Sequence, residues 1–130
     1  MAEIQKFCPP GLYDPPGYSQ GIKVTGAQTI LFLAGQVPYA PDGGVAHVGD
    51  FMGQARQVFG AVKMLVESAG GTLANVVKIT TYLTDVRYRA DFRVVRDEFF
   101  GVRGPASTMI EVSSLSHPDY LIELEALAVL

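Results

Sequence analysis

The segment Val76–Leu83, with the sequence VVKITTYL, decides the fold class because it is a β-branched stretch between two helical patterns. Before it, apolar residues between positions 55 and 69 recur at helical spacing, with Asp50 as the N-cap and Gly70-Gly71 as the stop signal. After it, a second helix is predicted from Thr84-Asp85 to about Phe100. A strand followed by a helix predicts a crossover that returns to the same sheet.

Shorter strands are predicted on both sides of this unit. Residues 22–24 and 29–34 are expected to form one hairpin, and residues 107–112 and 121–130 a second one around the turn at 116–119. The resulting order, β, β, helix, β, helix, β, β, predicts an α+β fold in which two helices cover one face of a mixed sheet. The other face also carries apolar residues, so we expect further copies of the chain to cover it.

Length, composition and charge narrow the class of protein. The chain has 130 residues, of which 48% are hydrophobic and 18% charged, so we expect one ordered domain spanning residues 1–130. The sequence has neither a long apolar run nor the apolar segment of a signal peptide, which predicts a cytoplasmic protein without a membrane partner. The formal net charge of −3 argues against a nucleic-acid partner.

No familiar metal, nucleotide or nucleophile motif is present. The single cysteine, Cys8, cannot form an intrachain disulfide or a zinc site by itself, and the acidic residues are scattered rather than clustered. His47 and His117 both lie in predicted loops, where exposure to solvent is expected more often than a role as a base. We therefore expect neither a metal nor a cofactor.

Two acidic residues in the last strand are unusual. Glu123 and Glu125 are two positions apart, so both lie on the same strand face as Leu121. Carboxylates in an apolar strand need either a partner or a cleft that holds water. The partner can be the facing strand, Lys78 or another subunit; in a cleft, one carboxylate can orient water for a reaction.

Arginines are concentrated in the second predicted helix. Arg89, Arg93 and Arg96 have i, i+4, i+7 spacing and therefore line one helix face. Such a face can bind an acidic ligand, because a guanidinium group matches the geometry of a carboxylate. It can also be a solvated surface that pairs with nearby acidic residues of the same helix.

Several segments, spread in order over nearly the whole chain, resemble the RidA/YjgF family. Residues 17–20 (GYSQ) and 33–38 (LAGQVP) resemble its G-P-Y-S-Q and S-G-Q-[IV]-P motifs. Residues 76–85 (VVKITTYLTD) and 121–126 (LIELEA) are similar to two of its strands. The resemblance implies a chorismate-mutase-like fold and a homotrimer that holds a small acidic metabolite in clefts between subunits. It also implies hydrolysis of reactive enamines or imines, such as 2-aminoacrylate, to oxo acids and ammonia without a metal or cofactor.

The same resemblance implies which residues form the site. Glu123 matches the catalytic position, and Tyr18, Ala34 and Gly35 match cleft positions that bind substrate. The family motif P-A-R supplies an arginine for the substrate carboxylate, but here Ser107 stands at that position.

A serine hydroxyl cannot supply the missing positive charge, so three functions stay open. Arg93 falls where active members usually place asparagine, and it is a candidate to approach the same carboxylate. With such a replacement, the chain is a deaminase with altered substrate preference. Without one, it is a ligand-binding relative that has no activity. The turn at residues 115–118 also resembles that of 2-aminomuconate deaminases, whereas the ribonuclease label of some relatives is disfavoured by the charge.

Overall fold

A mixed five-stranded sheet with two helices on one face forms the centre of the computed structural model, which describes residues 2–130. The strands are β1 (Glu3–Phe7), β2 (Gly17–Ser19), β3 (Gly21–Thr25), β4 (Ile30–Phe32), β5 (Val76–Leu83), β6 (Arg103–Glu111) and β7 (Ile122–Val129). The helices are α1 (Phe51–Ser68) and α2 (Arg89–Phe100). Within the described residues, neither helix has the length and apolar character needed to span a membrane.

The strand order in the large sheet is β2-β6-β5-β7-β4, with β1 and β3 forming a separate antiparallel ribbon. Strands β5 and β6 are parallel and are joined through α2, which confirms the predicted crossover. Strand β7 runs antiparallel to β5 on its other edge, and β4 pairs with β7. The prediction of an α+β fold with two helices on one face of a mixed sheet is therefore confirmed.

Both predicted hairpins are wrong. Strand β5 lies between β6 and β7, because a buried central strand needs backbone partners on both edges. Strand β3 pairs with β1 rather than with β4. The chain does not turn back after Gly26, since the carbonyl of Leu130 accepts the N–H groups of Gln28 (2.9 Å) and Thr29 (3.1 Å) and holds this segment beside the end of β7.

The core lies between the sheet and the two helices. Asp50 caps α1 as predicted, with Oδ1 accepting the Gly53 N–H at 3.0 Å. Helix α2 begins later than predicted, because Asp85 caps a separate 3-10 turn, Val86–Tyr88. In β5, Val76, Ile79 and Leu83 belong to the core cluster and Val77 does not, because the register of β5 against β7 shifts between Val76 and Lys78.

The sheet face that the helices leave open is more polar at its centre than expected. It presents alternate residues of β5 and β7, among them Lys78, Thr80, Tyr82, Glu123 and Glu125, which are all partly exposed. At the β4 edge of this face, two large apolar side chains are exposed to solvent: Ile30 is 55% exposed and Phe32 is 79% exposed. These residues lie on the open face because Leu31, between them, points to the core.

Candidate functional site

Glu123 is held at one edge of the open face by the backbone of residues 33–36. This segment follows β7, with the Leu33 N–H bonded to the Ala126 carbonyl and Gln36 exchanging both backbone hydrogen bonds with Leu124. The carboxylate of Glu123 lies against Gly35, where a Cβ atom would be 2.8 Å from Oε2. Because Gly35 has no side chain, it leaves the space that the Glu123 carboxylate occupies. Ala34 is the residue before Gly35 in the same segment.

The two carboxylates of β7 have different surroundings. The Tyr82 hydroxyl donates a hydrogen bond to Glu125 Oε1 at 2.7 Å, and this bond raises the pKa of Tyr82. Lys78 donates to Thr108 Oγ1 at 2.6 Å instead of to a carboxylate. Among residues 2–130, the Glu123 carboxylate has no hydrogen-bond or ion-pair partner, so its oxygens are available to water or to a ligand.

Tyr18, Arg93 and Ser107 lie together in a second region, between β2, β6 and α2. They line a cavity of about 140 Å³, whose other lining residues are Arg89, Phe92, Arg96 and Met109. An adjoining cavity of about 330 Å³ shares Tyr18 and the three arginines. Strand β2 holds Tyr18 there because it pairs in parallel with β6, where Ser19 Oγ donates to the Gly104 carbonyl at 2.7 Å.

Arg96 belongs to this region, although sequence reasoning singled out only Arg93 as a site residue. Its side chain is almost fully buried, and Nε donates to Asp97 Oδ1 at 3.0 Å. The guanidinium group occupies the space beside Gly17, where a Cβ atom would overlap it. The i, i+4, i+7 spacing of the three arginines was the only signal in the sequence, and it does not tell which of them is buried.

Within one protomer, the predicted site residues form two separate groups. Glu123, Ala34 and Gly35 lie at the open face beside β7, whereas Ser107 on β6 points towards α2 on the opposite face. Strands β6 and β7 flank β5, so their axes are about 10 Å apart. A single protomer therefore does not bring Glu123 together with Tyr18, Arg93 and Ser107.

The histidines and the cysteine lie outside both groups. His117 Nδ1 accepts the Asp119 N–H at 3.0 Å within its turn, and His47 lies in the loop before α1. Cys8 follows β1 and approaches the carbonyls of its own loop. In residues 2–130, no three His, Cys, Asp or Glu side chains are grouped so that they could hold a metal ion.

Comparison with known proteins shows similarity over nearly the whole chain. A family model described as Endoribonuclease L-PSP matches residues 14–130. A RutC family protein of Pyrococcus horikoshii is 44% identical over 111 residues, which make up 85% of each chain. A Yersinia pestis structure, described as a protein of unknown function of the conserved Rid protein family, YyfB, has a TM-score of 0.87 at 28% identity and 98% coverage of both chains. The Escherichia coli TdcF structure with bound serine has a TM-score of 0.72 at 30% identity, over 93% of this chain and 92% of that one.

Proposed function

The chain belongs to the RidA/YjgF family, and from this premise we propose that it hydrolyses a reactive enamine or imine acid to an oxo acid and ammonia. The observation that carries the proposal is the Glu123 carboxylate, which is partly buried, lies against Gly35 and has no partner among the described residues. A carboxylate in such a position can transfer protons in a cleft. The serine bound to the Escherichia coli relative supports a ligand of amino-acid size.

In the proposed reaction, Glu123 moves a proton between water and nitrogen. An enamine first tautomerises to the imine, and water then adds to the imine carbon while Glu123 accepts one of its protons. Returning that proton to nitrogen gives a carbinolamine, and Glu123 then transfers the hydroxyl proton to the same nitrogen. Ammonia becomes the leaving group, so the C–N bond breaks and the C=O bond forms. One water is consumed for each ammonia released, and no oxidant or reductant is needed.

We further propose that the active clefts form between subunits of a homotrimer with the chorismate-mutase-like arrangement. Two observations support this: the two groups of site residues are separated within one protomer, and the β4 edge of the open face carries exposed apolar side chains. A sheet face with apolar residues is favourably covered by another layer, and the two helices already occupy the opposite face.

The chain is accordingly expected to have a solution mass of about 42 kDa, three times the 14.0 kDa of one copy, in multi-angle light scattering. Phe32→Asp should lower this mass, because a charge would be buried in the apolar contact. Met64→Asp is the matched control, since Met64 is also exposed but lies on α1, away from the open face. A stable monomer of 14.0 kDa for the unmodified chain would contradict the proposed assembly.

Ammonia release tests the hydrolytic function. Imino acids are generated in situ by an amino-acid oxidase, and 2-aminoacrylate by a dehydratase, with and without the protein. We expect faster release from at least one imino acid. With 2-aminoacrylate, we expect a rate at least about tenfold below that of a relative carrying the family arginine, because loss of a charge-assisted contact worth 1.4 kcal/mol or more costs that factor.

The second candidate function is binding of a small ligand without turnover. Ser107 favours it, because it stands where active relatives carry the carboxylate-binding arginine. The same experiment separates the two functions. If no member of the panel releases ammonia faster with the protein, hydrolysis is excluded for these substrates and the binding function takes its place.

A further inference from the structure

The pocket lined by Tyr18, Arg89, Arg93, Arg96 and Ser107, here called the arginine pocket, carries more positive charge than one carboxylate can balance. Building on the function proposed above, we infer that this pocket selects a small ligand with two negative charges, a dicarboxylate or a phosphomonoester. Both classes of ligand carry two negative charges, on two carboxylates or on one phosphate group. In each case, separate guanidinium groups hold the two charges.

The first argument is the charge balance of the pocket. Of its three arginines, only Arg96 has an acidic partner, Asp97, so three positive charges face one negative charge and two remain. Arg89 and Arg93 form no ion pair or side-chain hydrogen bond within residues 2–130. One carboxylate on a ligand would neutralise one of the two remaining charges, whereas a dianion would neutralise both.

The second argument is the contrast with the other arginines of the chain. Each of them has a carboxylate partner: Arg56 contacts Glu98 at 2.7 Å, Arg87 contacts Asp85 at 2.6 Å and Arg103 contacts Asp14 at 2.6 Å. Unpaired arginine is therefore confined to the arginine pocket. Three like charges along one helix face repel each other, and an anionic ligand would remove this repulsion.

The third argument is the depth at which the charges lie. Arg96 is only 7% exposed and fits against Gly17, so its guanidinium group is held at the base of the pocket. Arg89 and Arg93 are exposed at the mouth, and the Tyr18 and Ser107 hydroxyls add neutral donors. We assign the two negative charges of the ligand to Arg89 and Arg93, while Arg96, which is paired with Asp97, and the Ser107 hydroxyl line the base of the pocket.

The shape of the pocket favours a small molecule over a nucleic acid. The two adjoining cavities measure about 140 and 330 Å³ and share the same three arginines, so the charges converge on one place. A nucleic-acid surface instead spreads its basic residues along the phosphate backbone. The net charge of −3 adds long-range repulsion against a polyanion.

Isothermal titration calorimetry at pH 7.5 tests the inference with 2-oxoglutarate, glycerol 3-phosphate and the monoanion 2-oxobutyrate. At least one dianion should bind about tenfold or more tightly than the monoanion, since a second charge-assisted contact is worth at least 1.4 kcal/mol. The dianion that binds more tightly shows whether the second charge comes from a second carboxylate or from a phosphate group. Equal affinity for all three acids, or no binding of either dianion, would overturn the inference.

Variants test whether the arginines cause this preference. Arg93→Gln and Arg89→Gln should each bring dianion affinity down towards that of the monoanion without lowering the melting temperature, because both side chains are exposed. Arg87→Gln is the matched control, since it removes a charge from the neighbouring 3-10 turn outside the pocket. The inference fails if the control has the same effect as Arg93→Gln. It also fails if a short RNA binds more tightly than the dianions and loses affinity in Arg93→Gln.

The binding experiment and the hydrolysis experiment fail independently. The acids used in calorimetry carry no imine, so they bind without turnover. Faster ammonia release without a preference for dianions would overturn only the charge selection. A preference for dianions without faster ammonia release from any imino acid would overturn only the hydrolytic function.

Discussion

Replacing Glu123 by glutamine is expected to lower turnover about 100-fold, the lower end of the contribution of a positioned general acid–base group. Glutamine keeps the size of the side chain and its contact with Gly35 but cannot accept a proton from water. The mass in solution and the melting temperature should remain unchanged, because Glu123 has no partner among residues 2–130 that the change would remove. Initial rates of ammonia release and thermal unfolding measure the two effects.

Glu125→Gln is the control for this prediction. Glu125 lies on the same strand face, about 6.6 Å further along β7, and accepts the hydrogen bond of Tyr82. An amide oxygen can still accept that bond, so we expect little change in rate and a small loss of stability. If Glu123→Gln retains full activity, or if both variants lose activity equally, Glu123 does not have the proposed role.

Replacing Gly17 by alanine is expected to lower the free energy of unfolding by about 2–3 kcal/mol. Gly17 has φ of +86°, a conformation that costs an L-residue about 1–2 kcal/mol. The new methyl group would also overlap the Arg96 guanidinium group and force it out of its buried position. Urea unfolding measures the loss of stability, and calorimetry should show weaker dianion binding as well.

Gly11→Ala separates the two causes. Gly11 has a similar φ of +94°, but a Cβ atom there meets nothing within 4 Å. Its substitution should therefore cost only the backbone strain, about 1–2 kcal/mol. An equal loss of stability in both variants would show that the Arg96 contact contributes nothing at Gly17.

Elements set by local sequence were predictable. Helix α1 follows from its apolar spacing and the Asp50 cap, and β5 follows from its β-branched residues, because each signal acts within a few residues. Strand pairing was not predictable in this way. The partners of β3 and β4 depend on hydrogen bonds with residues far away in the chain, such as the Leu130 carbonyl that holds Gln28 and Thr29.

For the candidate site, the sequence by itself determined which chemical groups are available. The sequence contains an acidic pair in an apolar strand, three arginines on one helix face and a serine in place of the family arginine. Only the tertiary structure decided how these groups are used. Glu125 is paired because β5 brings Tyr82 beside it, and Glu123 is left without a partner.

The burial of Arg96 was likewise decided by the tertiary structure. Arg96 is buried beside Gly17, which lies 79 residues earlier in the chain. This contact requires β2 to pair with β6 beside α2. Helical spacing specifies that three side chains share a face, but burial depends on which strand packs against that face. The free energy of forming the whole sheet sets that packing, and no local pattern contains it.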